Sequence, residues 1–316
     1  MINGISGTLK AAFALLIFPG GVFLFVCAWL FEWIDRKITA RLQGRIGPPW
    51  YQPLADWIKL MAKEDLLPMG TNEWACAALP IVSLAAVLTA SLYVPIGGSI
   101  ANAFEGDLIV VLFLLSIPAL AYFGAGWISG GVYSVIGGNR SLLQYFSYEV
   151  PFLMALSGPA ILSSSWSISC IAAQQAKTIW GVAIQPIGFL LAVMGLIGKL
   201  KRVPFDIPKA KSEIVAGPLT EFSGRKLALW HISTQMTTVV GVFLLTDAFL
   251  GGSGVSKLLP PALTFGLKAL LILSMLSIAN VLYARLRIDQ MADLGWQVLA
   301  PLALLQLAAT IWIGVR

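Results

Sequence analysis

The sequence predicts an all-α, polytopic membrane protein of about eight transmembrane helices, one integral membrane domain over residues 1–316. Three observations predict it. Hydrophobic residues make up 58% of the chain and charged residues only 11%, where a soluble domain carries about 25% charge. Apolar runs of about 20 residues with almost no charge recur along the chain, each long enough to cross a bilayer as a helix. The basic residues gather in a few loops. Long unbroken apolar runs also argue against a transmembrane barrel, which needs short alternating strands.

In order, spans are expected at Ala11–Phe31, Trp74–Val94, Asp107–Gly126, Tyr145–Ser163, Ile179–Gly198, Leu227–Leu250, Pro261–Tyr283 and Met291–Val315. Pro19-Gly20-Gly21 loosens the first near its start, and Pro95 with Gly97-Gly98 closes the second. The polar, glycine-rich stretch GWISGGVYSVIGGNRSLLQ reads as a loop before the fourth. Loops at about 32–73, 127–144, 199–226 and 284–290 then share one side and hold 16 Lys/Arg, against four (Lys10, Lys177, Lys257, Arg316) opposite, with Lys268 inside the seventh span. Positive loops stay cytoplasmic, so both termini are expected outside a multi-pass chain in the cell membrane. The net charge of +6 records this orientation and not nucleic-acid binding. Cys27, Cys76 and Cys170 are too far apart for a zinc or iron–sulfur site, so no cofactor or metal is expected on this chain. The first apolar run passes straight into a charged loop without a clear cleavage pattern, so no cleavable signal is expected. No internal repeat points to a two-fold transporter.

The first loop is long and patterned. Arg36, Lys37, Arg41 and Arg45 precede the stiff Gly47-Pro48-Pro49. A helix-period segment follows, with Leu54, Trp57, Ile58 and Met61 on one side and Asp56, Lys59, Lys63 and Glu64 mostly on the other. It is expected to lie as an amphipathic helix on the membrane surface, against lipid. The loop Lys199–Lys226 mixes seven basic residues with Asp206, Glu213, Glu221 and apolar stretches that water would satisfy poorly, so it is expected to pack against the membrane domain or a partner.

Charge inside apolar segments is costly and points to function. Glu149, in QYFSYEVPFLMAL, and Lys268, in PALTFGLKALLILSML, are the leading candidates for an ion path. Asp107 and Asp247 read as interface residues or caps, and the single histidine, His231, as a satisfied hydrogen-bonding group.

These loops also carry a resemblance. Asp35-Arg36-Lys37, Gln43 to Pro49, Gln52-Pro53-Leu54-Ala55-Asp56 through Lys63-Glu64, Gln144 to Val150, Arg202 to Asp206, Glu221-Phe222-Ser223-Gly224, and Arg287 to Met291 with Leu294-Gly295-Trp296 follow one family's motifs in order. The chain resembles the H-type membrane protein at the heel of respiratory complex I, and its relatives in membrane-bound [NiFe] hydrogenases. The resemblance implies a coupling component of an oxidoreductase complex that is not catalytic by itself. Its expected partners are a cytoplasmic [NiFe]-hydrogenase-like large subunit, an iron–sulfur small subunit and antiporter-like membrane subunits. Iron–sulfur clusters and a NiFe centre would belong to those partners. The coupling path implied is Glu149, Asp206, Glu213, Glu221, Lys268 and Asp289, and the docking set Asp35, Arg36, Lys37, Arg41, Arg45, Asp56, Lys63 and Glu64.

The chain departs from the quinone-reducing pattern. Lys209 and Lys211 stand where that pattern has glutamates, Thr234 falls near another, and Pro49 replaces an asparagine. Reversed charge would change the potential and proton affinity of a quinone chamber. The departures lean towards the hydrogenase-like branch and leave quinone or a sulfur-reducing complex as alternatives. A freestanding transporter would not need two large charged loops on one face. A purely structural anchor would not need Glu149 or Lys268.

Overall fold

The computed structural model describes residues 13–68, 70–98, 103–254 and 260–314. Lys10, Lys257 and Arg316 of the charge count, and the outer ends of the first and last expected spans at Ala11 and Val315, lie outside them. The helices are α1 Gly21–Leu42, α2 Gln52–Ala62, α3 Glu73–Ser91, α4 Asp107–Ile128, α5 Val132–Ser163, α6 Ile168–Lys177, α7 Pro186–Lys199, α8 Gly224–Leu250, α9 Pro261–Leu282, α10 Ile288–Asp293 and α11 Ala300–Gly314. Among the described residues six helical stretches are long and apolar enough to cross a membrane: Phe13–Leu42, α3, α4, α8, α9 and Ile288–Trp312.

The centre is α8, buried continuously from Met236 to Leu250. A helix buried on every face is a core helix, and α1, α3, α9 and α2 pack about it. α5 forms a second axis, flanked by α4, α7 and α11. The amphipathic segment is the helix α2. Pro53, Leu54, Trp57 and Leu60 turn towards α1 and α8, with Trp57 5.2 Å from Phe25, whereas Ile58 points outward.

Three expected boundaries are corrected. The loop expected at 127–144 is helical from Val132, so α5 runs 32 residues, about 48 Å. Its glycines serve helix packing: a Cβ at Gly126 would lie 2.5 Å from the Ser134 carbonyl, and one at Gly137 2.6 Å from Pro218 Cδ. Only at glycine can α4, α5 and the 217–219 turn approach so closely. The fifth span, expected as Ile179–Gly198, is broken. One turn at Gly181–Ile184 precedes Pro186, which starts the 14-residue α7, about 21 Å long and short of a full hydrocarbon core. α6, before it, was not expected. The last span begins early, at Ile288, and passes through a π-helical stretch at Leu294–Leu299. There Gly295 abuts Ser147, whose carbonyl would sit 2.5 Å from a Cβ.

The two large charged loops fold together. Arg202 pairs with Asp35 at 3.0 Å and Lys226 with Asp65 at 3.5 Å. Ser223 Oγ accepts from the Leu66 amide at 2.8 Å. Gly224 takes φ +56° against the Glu64 carbonyl, which a Cβ would meet at 2.6 Å.

Candidate functional site

Where α5 crosses α7, Glu149 and Lys199 form an ion pair inside the protein. Lys199 Nζ donates to Glu149 Oε1 at 2.9 Å, and Ser116 Oγ of α4 donates to the same oxygen at 2.6 Å. The two side chains are 5% and 1% exposed. Glu149 Oε2 and the neighbouring Tyr148 hydroxyl are buried without a hydrogen-bond partner. A buried pair this incompletely satisfied is weak evidence for stability. Lys199 escaped the sequence reading because, counted along the chain, it is merely the first residue of a basic loop. A lysine ending an apolar run within reach of an intramembrane acid was the available signal.

The other expected path residues divide. Asp206 is ion-paired to Arg285 at 3.1 Å. Burial raises its carboxyl above the ordinary range, against the pull of Lys209 and Arg285. Glu213 pairs with Arg140 of α5, and that bond lowers its carboxyl. Glu221 sits against Gly131, where a Cβ would lie 2.6 Å from its Oε1. Asp289 is exposed beside Arg285 and Arg287 on the rim of a surface cleft. Asp206, Glu213 and Glu221 lie in the loop that follows α7, and Asp289 at the start of α10. The Lys268 ammonium donates to the carbonyls of Leu250 and Gly252, at 2.7 and 2.6 Å, capping the C-terminus of α8. Asp107 caps likewise, accepting from the Ile168 amide at 2.7 Å.

The docking set also divides. Arg36 bridges Glu32 and Asp56, the latter at 2.7 Å. Burial would raise the Asp56 carboxyl, but hydrogen bonds from Arg36 and Gln52 outweigh it and hold it below its ordinary value. Asp35 accepts a hydrogen bond from Ser277 at 2.5 Å and is ion-paired with Arg202. Those three residues tie α1 to α2, α9 and the second loop. Lys37 is half-buried, its stem packed under Gly47, while Arg41, Arg45, Lys63 and Glu64 are exposed.

Between α1, α2 and α8 lies a crevice of about 230 Å³. Phe25, Trp29, Leu54, Trp57 and Ile232 wall it, and Arg36, His231 and Gln235 supply polar groups. His231, expected as a hydrogen-bonding group, stands on this crevice wall.

The fold is that of a helical membrane protein with an ion pair buried where two of its helices cross and with two charged loops folded together. The chain belongs to the NADH dehydrogenase family, whose model matches residues 13–311. It is 37% identical to the second H-type subunit of the NADH-quinone oxidoreductase of Geobacter sulfurreducens, over 96% of this chain and 95% of that protein. It is 31% identical to the H-type subunit of the NADH-quinone oxidoreductase of Carboxydothermus hydrogenoformans, over 94% and 88%. Among solved structures it matches a chain of the membrane-bound sulfane sulfur reductase, an archaeal respiratory membrane complex, with a TM-score of 0.86 at 28% identity, covering 96% of this chain and 99% of that one. It is an H-type membrane component of a complex-I-like respiratory complex.

Proposed function

We propose that this chain anchors a soluble electron-transfer arm on its charged loop face and passes that arm's redox state to ion-translocating neighbours through the Glu149–Lys199 pair. The observation that carries the reading is the position of that pair. It lies at the C-terminal end of α7, where the second charged loop begins, and Lys199 shares a small cavity with Lys201 and Lys209 of that loop. A change of charge at the docked arm would shift how the pair shares its proton, an electrostatic signal needing no bond broken here. Glu149→Gln keeps the size and hydrogen-bonding reach of the side chain and removes its titration. In sealed vesicles the assembled variant should show a sharply lower ion-to-electron ratio. A wild-type ratio at wild-type turnover would overturn the reading.

For the terminal acceptor, lysines at 209 and 211 support a hydrogenase-like or sulfur-reducing complex, with electrons ending on protons or a sulfur species in a [NiFe]-hydrogenase-like large subunit fed by an iron–sulfur small subunit. The crevice favours a second reading. Its aromatic walls and polar groups suit a ring-and-tail amphiphile such as a quinone, which His231 and Gln235 could hold by hydrogen bonds. Tight stoichiometric quinone in the isolated complex, displaced by quinone-site inhibitors, would decide for the second. Inhibitor-insensitive reduction of a small acceptor would decide for the first.

A further inference from the structure

Lys199, Lys201 and Lys209 line a small cavity between α4, α8 and the loop that follows α7. Lys199 is committed to Glu149. Neither Lys201 nor Lys209 has an ion-pair partner within 4 Å among the described residues: Asp206, which attracts Lys209 from further off, is bound directly to Arg285. Their ammoniums lie 4.2 and 5.9 Å from the centroid of the Tyr122 ring. Three lysines therefore line this cavity with no carboxylate on its wall, in a place where Lys201 is only 9% exposed.

The uncharged lining shows the same imbalance. Tyr122 Oη and Trp230 Nε1, on residues 3% and 2% exposed, are both buried without a hydrogen-bond partner. The remaining hydroxyls are spent. Thr234 and Thr237 donate to carbonyls of their own helix, at 2.9 and 2.7 Å, and Ser83 bonds Ser233 at 2.7 Å. Buried N–H and O–H groups are seldom left unpaired, and buried ammoniums need a counter-charge. What remains unsatisfied here is the Tyr122 hydroxyl, the Trp230 N–H and positive charge, with no carboxylate on the cavity wall. A cation would be repelled. A water could accept from the phenol and the indole but would leave the charge uncompensated.

We propose that this cavity binds a small monovalent inorganic anion of halide size, held by Lys201 and Lys209 and by the Tyr122 and Trp230 donors. The space admits only a guest of a few atoms or fewer. This site is separate from the aromatic crevice and does not depend on which electron acceptor the complex uses.

The test is equilibrium binding of radiolabelled chloride to the purified intact complex, in gluconate buffer of constant ionic strength. One saturable chloride per copy of this chain is expected. Lys201→Gln should weaken it at least tenfold, Tyr122→Phe should weaken it while leaving packing intact, and Lys177→Gln, an exposed lysine, should leave it unchanged. Competition by hydrosulfide at lower concentration than by bromide would identify a sulfur anion as the guest, and the reverse order a halide. No saturable chloride or hydrosulfide binding to wild type would overturn the proposal, as would binding unchanged in both Lys201→Gln and Tyr122→Phe. Should Lys201→Gln fail to assemble, Tyr122→Phe decides.

Discussion

Replacing Lys199 by methionine keeps the apolar stem and removes only the ammonium. Glu149 is then left 4% exposed with one hydrogen bond, from Ser116, and no cation within ion-pair distance. Stranding a buried charge in this way costs about 3–5 kcal/mol. For a chain of this length roughly 2 °C of melting temperature is lost per kcal/mol, so a decrease of about 6–10 °C is expected. Glu149→Gln should lower it too, since Lys199 then faces only an amide. The double variant carries no charge at the crossing and should be less damaged than the sum of the two, by about 2 kcal/mol or more. The assay is thermal unfolding of the purified complex, wild type and all three variants, read as a double-mutant cycle. Effects that add within about 0.5 kcal/mol would mean the two groups do not interact, and the coupling site would fall with them.

Other outcomes follow from the same geometry. Arg41→Glu with Arg45→Glu, on exposed residues, should leave melting unchanged while recovery of the soluble arm on the membrane domain falls at least tenfold; undiminished co-purification would remove these arginines from the docking face. Gly137→Ala sets a methyl 2.6 Å from Pro218 and should cost about 1–3 kcal/mol, whereas Gly266→Ala, with nothing within 4 Å, should be neutral or slightly stabilising; equal melting of the two would refute the helix-packing role. The raised Asp206 carboxyl binds protons more tightly folded than unfolded, so its contribution to stability is full below the ordinary carboxylate range and is lost as pH rises through the folded value. Asp206→Asn should flatten that part of the stability–pH curve, and an unchanged slope would show that Arg285 and Lys209 already compensate.

The membrane class, most of the spans, the interfacial helix and the two charged loops were determined by the sequence alone. Each depends on a property summed over neighbouring residues: the transfer of an apolar run into lipid, or the 3.6-residue period that gives α2 a wet and a dry side. The family motifs were likewise readable as local strings. Tertiary structure decided everything that depends on distance through space. Gly126, Gly137 and Gly138 looked like a flexible loop because glycine disfavours helix in isolation. In the fold they are where helices touch, and packing outweighs propensity. Arg36 was expected to pair with a partner's acids or with loop carboxylates, and the fold holds it on Glu32 and the loop's Asp56. Lys268 looked like a proton carrier and caps α8. Glu149 was visible as a charge out of place, but its partner lies 50 residues further on. Coulomb energy depends on separation and local dielectric, and both are set by the angle at which α5 and α7 cross, which no stretch of sequence contains.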